Sequence, residues 1–137
     1  MRRQQGGFTL IESLVATGLL VTIALGSAQL LTMSIARNLA ARDQLSMSLL
    51  ASTKVDDLAA QAADGSIGIS PGDTLDRDAD GWCDTPAEGG RHFVRRWQVT
   101  RVEGFVDDVV GIAVRVRPAA GPGDTRLVTI RERRLPR

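Results

Sequence analysis

Between Phe8 and Ala36 the chain runs for 29 residues with a single charged side chain, Glu12. As a helix rising about 1.5 Å per residue, such a stretch is roughly 43 Å long, and a bilayer core needs only about 20 apolar residues to be crossed. The segment therefore reads as a membrane span with helix to spare. About 100 residues remain for a folded part, enough for a small core that leans on the long helix for part of its burial. A carboxylate in lipid costs on the order of 3 kcal/mol at the centre of the bilayer and less near its edge. Glu12 sits near the start of the segment and calls for a partner.

A secretory signal peptide has an apolar stretch of about 7 to 15 residues followed by a small-x-small cleavage site. Here the apolar stretch is longer, and the conspicuous small pair, Gly6-Gly7, precedes it. Processing is thus expected on the near side of the hydrophobic segment, which then stays in the mature chain.

The stretch GGFTLIESLVATGLL, preceded by Arg2 and Arg3, resembles the N-terminal signature of type IV pilins and their relatives, the minor pilins and the pseudopilins of type II secretion. The resemblance covers about the first 35 residues. It implies a leader over residues 1–7 and a cut by a prepilin peptidase between Gly7 and Phe8. Phe8 is then N-methylated, and Glu12 is the assembly glutamate five positions into the mature chain. The freed Phe8 amine would be a positive charge at a helix N-terminus, where the helix dipole also favours a carboxylate. Glu12 can neutralise its own chain's amine or that of a neighbouring subunit; the family implies the second. Gly18, Ser27, Ala28 and Ala16 permit close helix approach, though small residues are common in membrane helices.

Arginines flank both ends of the span, Arg2 and Arg3 on one side, Arg37 and Arg42 on the other, so charge counting leaves its direction open. The resemblance implies an N-terminus in the cytoplasm of a bacterium, a single pass through the inner membrane and a periplasmic folded part.

Beyond the span (8–37), residues 38–65 read as a continuation of the helix. No proline occurs before Pro71, and Leu45, Leu49, Val55, Leu58, Ala59 and Ala62 are expected on a buried face, with Arg42, Asp43, Lys54, Asp56 and Asp57 on the others. Gly65 is the stop signal. Residues 66–91 are rich in Gly, Asp, Pro and Ser and read as an acidic loop. In the remainder, 92–137, three strands are predicted: His92 to Val102 with Phe93, Trp97 and Val99 on one face, Val109 to Arg117, and a shorter, mixed Arg126 to Glu132. The linkers suit antiparallel hairpins. The predicted class is α+β and pilin-like: a long N-terminal helix packed on a small antiparallel sheet.

Within the loop, DRDADGWCD places Asp76, Asp78 and Asp80 at alternate positions before Gly81, as in the first half of a calcium loop. Trp82 would offer its backbone carbonyl, and Asp84 occupies the ninth position. The twelfth is Ala87 where a bidentate glutamate belongs, and Glu88 comes one residue late. Two readings stay open: a calcium site that orders the loop, and a solvated acidic turn.

Charge is unevenly spread. Asp56 to Gly90 holds nine acidic residues and one arginine, whereas Arg91 to Arg137 holds eleven arginines and five acids. The two parts can attract each other within one chain or between subunits. The basic part raises nucleic acid as a partner, as in a DNA-uptake pilin. Yet Arg115 and Arg117 alternate with Ile112, Val114 and Val116, which is how a strand sets a solvated face against a core face.

Cys83 is the single cysteine, so an internal disulfide is excluded; burial beside Trp82 is expected ahead of the other reading, a pairing with another chain. His92, the single histidine, reads as a surface residue at a strand start. No HExxH, CxxC, phosphate-binding glycine loop or G-x-S-x-G occurs, and acid pairs such as Asp107-Asp108 read as hairpin ends. The expectation is a non-enzyme, with a membrane-anchored periplasmic domain of other activity as the rival.

Taken with LLASTKVDDLAAQ in the helix and the Trp97 strand, the resemblance is to the V-type minor pilins and I-type pseudopilins. It implies a structural subunit of a type IV pilus or a secretion pseudopilus, priming assembly or sitting at the tip. Its partners would be other pilin or pseudopilin subunits, bound through the N-terminal helix.

Overall fold

The computed structural model describes residues 9–104 and 108–134. Gly7 and Phe8, the residues of the expected cleavage, lie outside them, as does Asp107. Helix α1 spans Leu10–Asp64. It is followed by β1 (Cys83–Asp84), β2 (Ala87–Glu88), β3 (Arg91–Val102), β4 (Val109–Pro118) and β5 (Thr125–Glu132). The fold is the expected α+β, pilin-like one, a long N-terminal helix with a small antiparallel sheet.

The chain divides into two compact units after Ala40. In the first, α1 is alone, and its leucines, isoleucines and valines from Leu10 to Leu39 are exposed. Its start is capped: Thr9 Oγ1 lies 3.4 Å from the Glu12 amide, and the Thr9 carbonyl accepts from the amides of Glu12 at 3.0 Å and Ser13 at 3.2 Å. Thr9-Leu10-Ile11-Glu12 thus has the spacing of a capping box.

In the second unit, residues 41–64 of α1 pack on one face of the sheet. Strands run in the order β1-β3-β4-β5, with β2 also on β3, and every pairing is antiparallel. Trp97 stands opposite Val114 and Val99 opposite Ile112, so alternate residues of β3 and β4 share the helix side. The core consists of Phe93, Trp97 and Val99 from β3, Val110, Ile112, Val114 and Val116 from β4, Met47, Ala51, Leu58 and Ala62 from α1, and Ile67. Each large aliphatic or aromatic member contributes about 1.5–3 kcal/mol by leaving water. The small residues Ala51 and Ala62 let the helix backbone approach the sheet.

The buried stripe of the helix differs from the one expected. Leu45 and Leu49 are 71% and 57% exposed, while Met47 and Ala51 are buried. Positions 47, 51, 58 and 62 follow the helical repeat, and 45 and 49 fall on the opposite side. Lys54 and Asp43 also depart from expectation. The Lys54 ammonium lies 4.0 Å from the centroid of the Trp97 ring, and Asp43 pairs with Arg91 at the start of β3.

The helix ends as expected: Gly65 takes φ 83°, and the Ile67 amide returns to the Gln61 carbonyl at 3.1 Å. Gly123, between β4 and β5, has φ 136°, and a Cβ there would lie 3.1 Å from Met47 Cε, so the turn closes over the helix only with glycine.

Candidate functional site

Two features carry the chemistry of the sequence: the apolar N-terminal part of α1 with Glu12, and the acidic segment 76–84.

Glu12 is in the first turn of α1 and exposed. Further along, polar side chains turn inward on the helix itself. The hydroxyls of Thr17, Thr22 and Ser27 each donate to the carbonyl four residues earlier, those of Ser13, Gly18 and Ile23, all at 2.8 Å. Hydroxyls satisfied in this way need no water, which suits a helix surrounded by lipid. The segment is long and apolar enough to cross a membrane, and none of its most apolar window is buried inside the protein. A core helix of a soluble protein of this length would be largely covered.

The acidic segment is ordered by arginines of the sheet. Asp76 pairs with Arg115. Asp78 accepts from Arg96 Nε at 2.9 Å. Asp84 accepts from Arg95 Nε at 2.9 Å and Nη2 at 2.6 Å. The Trp82 carbonyl, expected to face an ion, accepts the Trp97 amide at 3.1 Å. Gly81 supplies the sharp turn with φ 79°, and Asp80 is exposed. The carboxylates are thus distributed along β3 and β4 and do not converge. Among the described residues no group of three or more His, Cys, Asp or Glu side chains is gathered as a metal site.

Arg115 is the hub of this network. Besides Asp76 it holds Asp124 through Nε at 3.0 and 3.1 Å and Nη2 at 2.8 Å. These hydrogen bonds and the positive charge draw the Asp124 carboxyl below its ordinary range, and Asp124 in turn raises the Arg115 guanidinium. Asp108 sits between Arg101 at 3.1 Å and Arg133 at 3.4 Å. Part of the charge asymmetry of the sequence is therefore consumed within one chain.

Cys83 is half-buried, and its thiol lies 3.5 Å from the Ala79 carbonyl; Trp82 packs against the edge of the core. His92 is exposed near the start of β3. Sequence reasoning missed Arg95 and Arg115 as the organisers of the loop. A signal existed in the run of acids before a run of arginines, but which acid meets which arginine depends on strand register.

No protein family, no curated protein and no solved structure matches the chain. What fold and site define is a class: an α+β protein of pilin-like arrangement whose N-terminal helix carries one apolar, membrane-length segment compatible with a single-pass anchor.

Proposed function

We propose that the chain is a minor pilin or pseudopilin: a structural subunit cut between Gly7 and Phe8, methylated on Phe8, held in the inner membrane by α1 and then built into a type IV pilus or a type II secretion pseudopilus. The observation that carries this reading is the first part of α1, residues 10–36, exposed along its length and uncharged except for Glu12 in the first turn. A plain anchor has no use for a carboxylate there. A helix that must be lifted from lipid and set at a defined height against its neighbours does, because an ion pair with a neighbour's Phe8 amine fixes the axial step. The folded part would be periplasmic and the partners other pilin-like subunits.

The arginines bear on the DNA-uptake alternative. Arg95, Arg96 and Arg115 are tied to Asp84, Asp78 and Asp76, which leaves fewer cations for phosphates than the sequence count suggests.

The test is incorporation. Glu12→Ala is expected to leave the protein in the membrane at normal level and to remove it from sheared filaments or pseudopili. Normal incorporation of that variant would overturn the assembly role of Glu12.

A further inference from the structure

The two edges of the sheet are treated differently. The outer edge of β3 is covered by β1, by β2 and by the segment before them, with the Ser70 amide on the Val99 carbonyl at 2.9 Å and Thr74 Oγ1 on the Trp97 carbonyl at 2.6 Å. The outer edge of β5 has no main-chain partner among the described residues. It carries no proline, and its register with β4 runs without a bulge from Thr125 to Glu132. An open edge of this length is a template for another strand unless something blocks it.

Ladder parity fixes which groups are free. On β3 the residues 97 and 99 turn their main-chain groups away from β4, so the residues 111 and 113 of β4 bond β3 and the residues 112 and 114 bond β5. On β5, therefore, Thr125, Leu127, Thr129 and Arg131 bond β4, and Arg126, Val128, Ile130 and Glu132 present N–H and C=O to solvent. The side chains of these same four residues point away from the helix. Val128 is 63% and Ile130 57% exposed.

We propose that this edge pairs with the same edge of a second copy, antiparallel, with Thr129 on the two-fold axis. In that register Arg126 faces Glu132 of the partner and Val128 faces Ile130 of the partner, each pair occurring twice and each exchanging two main-chain hydrogen bonds. The neighbouring registers that parity allows are unfavourable. Centring on Val128 sets Asp124 against Glu132, and centring on Ile130 sets Arg126 against Arg134. Of these three registers, only the one centred on Thr129 sets opposite charges of TRLVTIRE against each other. The two-fold stands perpendicular to the sheet and sets residues 41–64 of the two helices in opposite directions. The inference depends only on the second unit and stands or falls separately from the processing of the N-terminus.

The test uses the full chain in detergent micelles, sized by light scattering across a concentration series, together with single-cysteine cross-linking in a Cys83→Ser background. Dimers are expected. Arg126→Glu places like charges opposite each other at both ends and should raise the dissociation constant at least about tenfold, and the exchange Arg126→Glu with Glu132→Arg should restore it. Thr129→Cys should give a disulfide dimer, since residues facing each other at a non-hydrogen-bonded position have Cα atoms about 4.5 Å apart, while Thr125→Cys should not. A monomer at every concentration, dimers indifferent to Arg126→Glu, equal cross-linking at both positions, or open oligomers that grow with concentration would each overturn the proposal.

Discussion

Asp84 on β1 and Arg95 on β3 stand directly opposite each other in the ladder, and the guanidinium holds both carboxylate oxygens, at 2.9 and 2.6 Å. The third nitrogen, Nη1, reaches the Leu50 carbonyl of α1 at 3.0 Å. Arg95 lies in the helix-facing row between Phe93 and Trp97, where an arginine would be costly without these acceptors. One side chain thus joins helix, central strand and the end of the acidic segment.

Arg95→Ala is expected to cost about 2 kcal/mol, because it strips a partly buried carboxylate and a helix carbonyl of their donor. Asp84→Ala should cost about 1 kcal/mol, and the double variant less than the sum of the two. Chemical denaturation of the four proteins measures this, and strict additivity would show that the pair is not coupled.

The helix stripe gives a second contrast. Leu58 is buried and Leu45 is exposed, so Leu58→Ala should lower stability by about 3 kcal/mol and Leu45→Ala by less than about 0.5 kcal/mol. The reverse order in thermal or denaturant unfolding would place the wrong face of α1 on the sheet.

These two residues also show how far the sequence could be read. The long helix, its stop at Gly65, the three long strands and the inward set Phe93, Trp97 and Val99 were legible, because polarity period and glycine position decide them locally. The stripe was misread at Leu45 and Leu49 because leucines there serve neither the sheet nor the nominal polar face, and a count of apolar residues cannot tell which of two helix faces a sheet will cover. β1 and β2, two residues each, lie within the segment read as loop, and strands so short leave no periodicity. The acidic segment was legible as a cluster of charge but not as a set of arginine pairs, since Arg95, Arg96 and Arg115 are brought to it by strand pairing across long separations.

The Arg115–Asp124 pair makes stability depend on acid. The Asp124 carboxyl is held below its ordinary range in the folded chain. Its contribution is therefore present above the unfolded value, about 4, and is lost as pH falls through the lower folded one. Both side chains are partly exposed, so the effect is a few tenths of a kcal/mol. Asp124→Asn should unfold at slightly lower temperature than the parent at pH 7 and converge with it toward pH 2; an unchanged difference across that range would remove the pair from the account.

Arginines already pair with Asp76, Asp78 and Asp84. Calcium at about 1 mM, an extracellular concentration, should leave the unfolding temperature of the full chain unchanged. A rise that Asp78→Ala and Asp80→Ala abolish would mean that the carboxylates leave their arginines to gather round the ion.

The most direct measurement on the central claim is the intact mass and N-terminal sequence of the chain taken from native membranes, with and without the host's prepilin peptidase. A chain beginning at Phe8 with one added methyl group, seen only where the peptidase is present, is expected. A chain that begins at Met1 or Arg2 in both cases would contradict it.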